Sequence, residues 1–400
     1  MKEYLSTLQL PPAEFDSRVD RVLAYVRSQN LAGVILFDNF YIAYLTGFVF
    51  FPTERPIALA MNAAGERVLF VPRLEMEHAK AEARVERVES YPEYPGDPHP
   101  MYQLKKIAAD LGITGKIGAD SDGYPWILGY QGPSLSSLTD AKVFIVIAFL
   151  NRQMAIKSAA ELALFRESVK WSNLAFRLLQ RYTRVGANET EVSLRASAEA
   201  TLAMIDTLGS LYRSQSPWWD GANARFHGQV GRSSADPHVL TTNATFRPGD
   251  VVGASAHAPM WGYSPEVERT MIVGEPSQDQ ARFFEHAKAA QEVAFDALRP
   301  GAECSDVDRA VRDYYEKNNL MTYWRHHSGH ATGLRNHEAP FLDSGDDTVL
   351  EPGMVFSVEP GLYVPELGGF RHADTVVITE CGMEILTYYP RDLASLTIPV

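Results

Sequence analysis

Apolar positions fall first at helical spacing and then in short runs. Phe15, Val19, Val22, Leu23 and Val26 recur at intervals of three and four, which predicts an amphipathic helix over residues 15–30. The run Gly33-Val34-Ile35-Leu36-Phe37 then reads as a buried strand. Two further strands, 57–61 and 67–71, flank the turn signal Asn62-Ala63-Ala64-Gly65. The most apolar stretch, 143–150, is too short to span a bilayer and reads as one more buried strand. Helix and strand signals alternate to about residue 150, the pattern of an α/β domain.

A boundary near Met154 follows from a change of pattern. Ser158-Ala159-Ala160-Glu161 has the Ser-x-x-Glu form of a capping box and opens a long amphipathic helix toward residue 183. A second helix starts near Glu189, and helices also fit 278–298 and 305–318. Strands fit 251–255, 266–273, 354–358 and 375–379. The chain is thus divided at 1–154 and 155–400, with no short-period repeat or low-complexity tract.

Composition narrows the function classes. Four hundred residues with 46% hydrophobic and 22% charged content suit a two-domain globular enzyme. The net charge of −13, without a basic cluster, argues against nucleic acid and is compatible with a cationic small molecule. Cys304 and Cys381 lie far apart and read as unpaired buried thiols in a reducing compartment, although one disulfide is compatible with the count. Met1-Lys2-Glu3-Tyr4-Leu5-Ser6 lacks a secretory apolar core, and the expectation is a cytoplasmic protein with no membrane partner.

The chemistry is concentrated in the second half. Gly249-Asp250 leads into a strand, followed by Glu266-Val267-Glu268-Arg269-Thr270, His327-Ser328-Gly329-His330, Val358-Glu359-Pro360-Gly361 and Phe370-Arg371-His372-Ala373-Asp374-Thr375. In order and spacing these resemble the catalytic domain of the pita-bread family, which includes creatinase, aminopeptidase P and prolidase. Asn39 to Phe48 resembles the N-terminal domain of the same family, so the likeness covers nearly the whole chain. The fold it implies is an α/β N-terminal domain with an α+β pita-bread C-terminal domain.

Metal-dependent members supply Asp, Asp, His, Glu and Glu, and the matching positions here are Ser255, Glu266, His330, Glu359 and Ala373. Ala373 has no donor atom and Ser255 is neutral, so a bridged pair of ions loses one bridge. His372 and Asp374 flank Ala373, but neighbours in a strand point to the opposite face. The expectation is a site without a cofactor, with Glu266, His330 and Glu359 as the ligands if one divalent ion binds. Without metal, Glu266, Glu268 and Glu359 form a cluster that calls for raised pKa values or a cation.

Resemblance assigns the remaining roles. The closest site pattern is that of metal-free creatinase and ectoine hydrolase, with which the Glu268-Arg269-Thr270 triplet agrees better than with peptidases. It implies His238 as proton carrier, with Glu268 and Glu359 as the catalytic carboxylates. Glu266 and His330 would contact substrate, and Arg371 would pair with a nearby carboxylate. Phe51-Pro52-Thr53-Glu54-Arg55-Pro56 matches the creatinase segment whose Arg binds a substrate carboxylate in the other subunit. That match implies a homodimer. His326 and His337 instead match histidines that bind peptide in Xaa-Pro peptidases, and creatinase lacks them. Trp218-Trp219 leaves a pocket wall and a core position both open.

The leading expectation is therefore metal-independent hydrolysis of a non-peptide C–N bond in a small guanidinium- or amidinium-type substrate carrying a carboxylate. Two alternatives stand beside it. One is a Xaa-Pro dipeptidase or aminopeptidase with an altered metal site. The other is a non-catalytic binding protein of the same fold.

Overall fold

The computed structural model describes residues 8–125 and 128–400. Residues 1–6, which were read for a secretory signal, lie outside them. The chain divides into two compact units, Leu10–Met154 and a second that contains Ala155–Val400.

The N-terminal unit carries a six-stranded sheet of β1 (Gly33–Leu36), β2 (Ala58–Asn62), β3 (Arg67–Pro72), β4 (Arg87–Tyr91), β5 (Lys116–Ala119) and β6 (Lys142–Ile145), in the order β4-β3-β2-β1-β5-β6. β1–β2 and β2–β3 pair antiparallel, and the other pairs are parallel. The expected first helix is Pro12–Ser28 and buries the predicted Phe15, Val19, Val22, Leu23 and Val26. Ile35, Phe37, Val68 and Phe70 share a core with Met101, Leu104 and Ile107 of a second helix, Met101–Asp110. Burying side chains of this size contributes roughly 1.5–3 kcal/mol each.

The stretch 143–150 is not one buried strand. It splits into β6 and the start of a helix, Ile147–Ala155. β6 is an edge strand, and Ile145 is 57% exposed. The apolar run was read as burial, whereas half of it serves an edge and the rest turns helical.

In the C-terminal unit the strands are β7 (Asn223–Arg225), β8 (Val251–His257), β9 (Val267–Val273), β10 (Gly329–Ala331), β11 (Glu338–Leu342), β12 (Val355–Val358), β13 (Gly361–Val364), β14 (Gly368–Arg371), β15 (Ala373–Thr379), β16 (Gly382–Ile385) and β17 (Thr397–Ile398). The main sheet runs β11-β10-β12-β15-β9-β8-β7, and β13–β14 form a separate hairpin. Helices Ala159–Tyr182 and Glu189–Leu208 pack on each other, and the first also packs on β8. Ser158 and Glu161 close the predicted capping box, while Asn188 caps the second helix through Thr190 and Glu191. Such caps are worth about 1 kcal/mol each.

Alternation in β9 and β15 divides the sheet into a structural and a chemical face. On the structural face, Arg269 is fully buried and donates to the carbonyls of Glu268, Ala373, Tyr389 and Pro390. It also pairs with Asp374 Oδ1 at 2.8 Å. Thr387 donates to the same oxygen, and Gln291 donates to Oδ2. Every charge here has partners, which is the condition for burying an ion pair without a large penalty. The network ties β9 to β15 and so fixes the side chains on the opposite face. His372 turns away from that opposite face, against the Phe284 ring, as the alternation predicted. Cys304 is buried as expected, but Cys381 is exposed, and both are free thiols.

Candidate active site

Strand register builds the site. Arg225 on β7 pairs with Ser255 on β8, Ser255 with Glu268 on β9, and Glu268 with Ala373 on β15. Directly paired residues share a face, so these four side chains form one row across four strands. Two residues along lies a second row. Asn223 pairs with His257, and the Glu266 peptide exchanges hydrogen bonds with the Thr375 hydroxyl. Thr375 pairs with Ser357, which pairs with His330. A Cβ added at Gly329 would lie 2.1 Å from the Ser357 carbonyl oxygen, so the close approach of β10 that seats His330 requires glycine.

Glu266, His330 and Glu359 converge in this face, with one donor atom from each within 4.8 Å of the others. His330 is fully buried and its Nδ1 lies 3.0 Å from the Ala331 carbonyl, to which an N–H donates. That bond leaves Nε2 facing the carboxylates, 3.3 Å from Glu359 Oε1 and 3.8 Å from Glu266 Oε2. Among the described residues Nε2 has no partner in good hydrogen-bond geometry. A buried imidazole nitrogen without such a partner, aimed between two carboxylates, is a donor set suited to one divalent cation. The residues therefore fit one ion. They do not fit a second, because Ser255 and Ala373 bring neither charge nor a bridging oxygen.

Without an ion the charges polarise one another. Burial opposes the charged form of His330, but Glu359 and Glu266 outweigh it and raise the group to about 9. Burial would raise Glu359, yet His330 and Arg371 pull it well below the usual carboxylate range.

Arg371 fills the gap left by the missing ligands. Its Nε lies 2.5 Å from Glu268 Oε2 and its Nη2 donates to Glu268 Oε1 at 2.9 Å. Its Nη1 is 3.8 Å from Glu359 and donates to Tyr363 Oη at 3.2 Å. The cation that the carboxylate cluster demanded is thus internal. Burial, with the charges of Glu266 and Glu359, still raises Glu268 to about 8 in spite of Arg371.

His326 and His337 both belong to the site. His326 Nδ1 lies 2.8 Å from the His327 carbonyl and donates to it, so its Nε2 accepts from Tyr363 Oη at 2.8 Å. Burial lowers His326 to about 4, which keeps it neutral. The His337 ring stacks on His330 at 3.8 Å between centroids. His238 lies exposed in the turn after Gly231–Ala235, close enough for its charge to depress His227. Arg55 sits in the N-terminal unit, where Glu54 and Glu93 hold it.

Sequence reasoning missed Arg225, His227, His257 and Tyr363. His227 Nε2 accepts from Arg225 Nε at 3.1 Å and lies 2.8 Å from Ser255 Oγ. A guanidinium can only donate, so Nε2 is unprotonated and Ser255 donates to it as well. Burial, with Arg225 next, drives His227 down to about 3. Trp219 stacks on His257, with ring centroids 5.1 Å apart, while Trp218 is 62% exposed. The core position fails for Trp218, which is exposed, whereas Trp219 lies against the site residue His257, as a pocket wall would.

Comparison with known proteins fits this geometry. Residues 163–380 match the model of metallopeptidase family M24, and residues 18–128 match the creatinase/prolidase N-terminal domain. A probable dipeptidase PepE of Mycobacterium tuberculosis is 30% identical over 399 residues, covering 96% of each chain. A Xaa-Pro dipeptidase of Pyrococcus furiosus is 28% identical over 361 residues, covering 89% of this chain and 95% of the relative. The crystal structure of dipeptidase PepE from Mycobacterium ulcerans superposes with a TM-score of 0.81 at 27% identity, covering 98% of this chain and 100% of that one. The prolidase structure from Pyrococcus horikoshii gives 0.78 at 25% identity, covering 94% and 99%.

These matches correct the expectation of a site without a cofactor. The family is one of metallopeptidases, and a three-residue ligand group stands in the site. They also move the weight from a creatinase-like enzyme to the peptidase alternative. With a family model spanning more than half of its length and a relative matched end to end, the chain belongs to metallopeptidase family M24.

Proposed function

We propose that this protein is a metal-dependent hydrolase of small peptides, of the dipeptidase or Xaa-Pro dipeptidase class, working with one divalent ion rather than two. The carrying observation is the convergence of the buried His330 Nε2 with Glu266 and Glu359, at 3.8 and 3.3 Å, in a group whose donor atoms lie within 4.8 Å of one another. Of the pair that the sequence relates to peptidases rather than to creatinase, His337 stacks on His330, and His326 lies against Tyr363, close enough for its charge to act on Glu359. The full-length relatives named as dipeptidases support the same substrate class.

Glu266, His330 and Glu359 would hold the ion, which when bound would polarise a carbonyl and lower the pKa of water. The chain's own groups supply the rest. Burial holds Glu268 above the usual carboxylate range, which favours proton exchange by a carboxyl, and Arg371 fixes its position. His238, exposed and near the site, would carry protons to and from solvent. Neutral His326 orders Tyr363, whose hydroxyl also receives a hydrogen bond from Arg371.

A panel of dipeptides, including Xaa-Pro members, tests this reading with stripped and Mn²⁺-loaded protein. Cleavage that requires Mn²⁺ is the expected result. Turnover of a cyclic amidine or guanidine, with no dipeptide cleaved under either condition, would restore the creatinase-like reading.

A further inference from the structure

Arg225 stands apart from the other site arginines. Arg269 and Arg371 each face a carboxylate at hydrogen-bonding distance. Arg225 spends only Nε, on His227, and its two terminal amino groups have no hydrogen-bond or ion-pair partner among the described residues. It is half-buried, in the row that contains Ser255 and Glu268. Burial disfavours its charge, and Glu268 and Glu266 act on it only through space. A half-buried guanidinium without a counter-ion at hydrogen-bonding distance is costly unless a ligand completes it.

The surroundings hold it in place. Its guanidinium lies 5.8 Å from the Trp219 ring centroid. The same indole stacks on the His257 imidazole at 17°. His257 is buried, and its Nε2 is 3.9 Å from Glu266 Oε1. His227 is neutral and accepts from both Arg225 and Ser255, so it orients the guanidinium without adding charge. A planar fork with two free N–H groups matches a carboxylate bidentately.

We infer that Arg225, oriented by His227 and flanked by Trp219 and His257, is the subsite that binds the free carboxylate of the substrate. This rests on the proposed peptidase reading and narrows its substrate class. Arg225 is two strands from Glu268, roughly 10 Å at the usual spacing between strands. That span suits a molecule as short as a dipeptide, with its carbonyl at Glu266, His330 and Glu359 and its C-terminal carboxylate on the guanidinium. A longer peptide would place an uncharged amide opposite Arg225 and leave the cation unpaired. Specificity then lies in the free carboxylate more than in the side chains.

The test is calorimetric binding of Ala-Pro and of its C-terminal amide to chelator-stripped protein, which removes turnover. The acid should bind about 10–100-fold more tightly than the amide, the usual worth of a charge-assisted hydrogen bond. Arg225→Gln should bring the acid down to the level of the amide, and Arg225→Lys should keep part of the preference, which separates lost charge from lost fold. Equal binding of acid and amide, no binding of either, or a preference that survives in Arg225→Gln overturns the subsite. An intact preference in a protein that cleaves no dipeptide when metal-loaded would instead remove the hydrolase reading and leave the subsite standing.

Discussion

Arg371 holds Glu268 from two sides, Nε at 2.5 Å from Oε2 and Nη2 at 2.9 Å from Oε1, in the row between Ser255 and Ala373. At Ser255 and Ala373, where the resemblance to the metal-dependent pita-bread enzymes implies acidic ligands, this chain has two neutral residues. The carboxylate between them is neutralised by a guanidinium. With Glu268 offset by Arg371, the charges of Glu266 and Glu359 would be met by one divalent ion.

Removing that guanidinium should be costly. Arg371→Met leaves Glu268 buried beside Glu266 and Glu359 without its partner. The loss should be about 3 kcal/mol, at the low end for a broken buried pair because Arg371 retains 15% side-chain exposure. Urea denaturation measures it, and adding Glu268→Gln to Arg371→Met should recover most of the loss. No rescue by the second substitution would mean that Arg371 acts through packing.

The ligand assignment has its own signature. His330→Ala or Glu359→Ala should weaken Mn²⁺ binding by at least about tenfold, since each removes one of only three protein ligands. Ser255→Ala, at a position without a ligand here, should leave Mn²⁺ affinity within about threefold of the wild type. Comparable losses in all three variants would place the ion elsewhere.

Restoring acidic groups should reverse the chain's own departure. Ser255→Asp, Ala373→Glu and Glu268→Thr together rebuild a bridged donor set and clear the carboxylate that Arg371 occupies. Elemental analysis of this triple variant should find nearly two ions per chain. A value that stays at one would show that β8 and β15 are spaced wrongly for a pair.

Stability should fall on acidification from the histidines alone. His227 and His326 ordinarily titrate near 6.5, and burial first of all lowers them to about 3 and about 4 in the folded protein. A depressed histidine stays neutral when folded and takes up its proton on unfolding. Its stability contribution is complete above pH ~6.5 and is lost as pH falls toward the folded value, at about 1.4 kcal/mol per pH unit for each group. His227→Asn retains an acceptor for Arg225 and Ser255, and should flatten the acid limb of denaturation midpoint against pH, measured on stripped protein. An unchanged limb would contradict the shift assigned to His227.

The fold was legible because its signals were local. Spacing from Phe15 to Val26, the Ser158–Glu161 box and the alternation around Ala373 each depend on a few neighbouring residues. The three ligands were legible from motif order. Arg225 was not, because β7 is three residues long and only its register with β8 places it in the site, and His227, two residues past β7, is placed there only by its contacts with Arg225 and Ser255. His257 was within reach of the same argument, since it lies two residues beyond Ser255 and shares its face. Arg371 pairs with a nearby carboxylate as expected, but which of the three it would take was not legible. Sequence shows that clustered carboxylates need a cation, but not whether Arg371 or a substrate supplies it.

The central claim is a one-ion peptidase centre on Glu266, His330 and Glu359. Its most direct test is the rate of dipeptide cleavage as Mn²⁺ is added stepwise to stripped protein, plotted against bound ions per chain. The account predicts no cleavage at zero ions and a plateau at one. Cleavage by fully stripped protein, or a rate that climbs until two ions are bound, would contradict it.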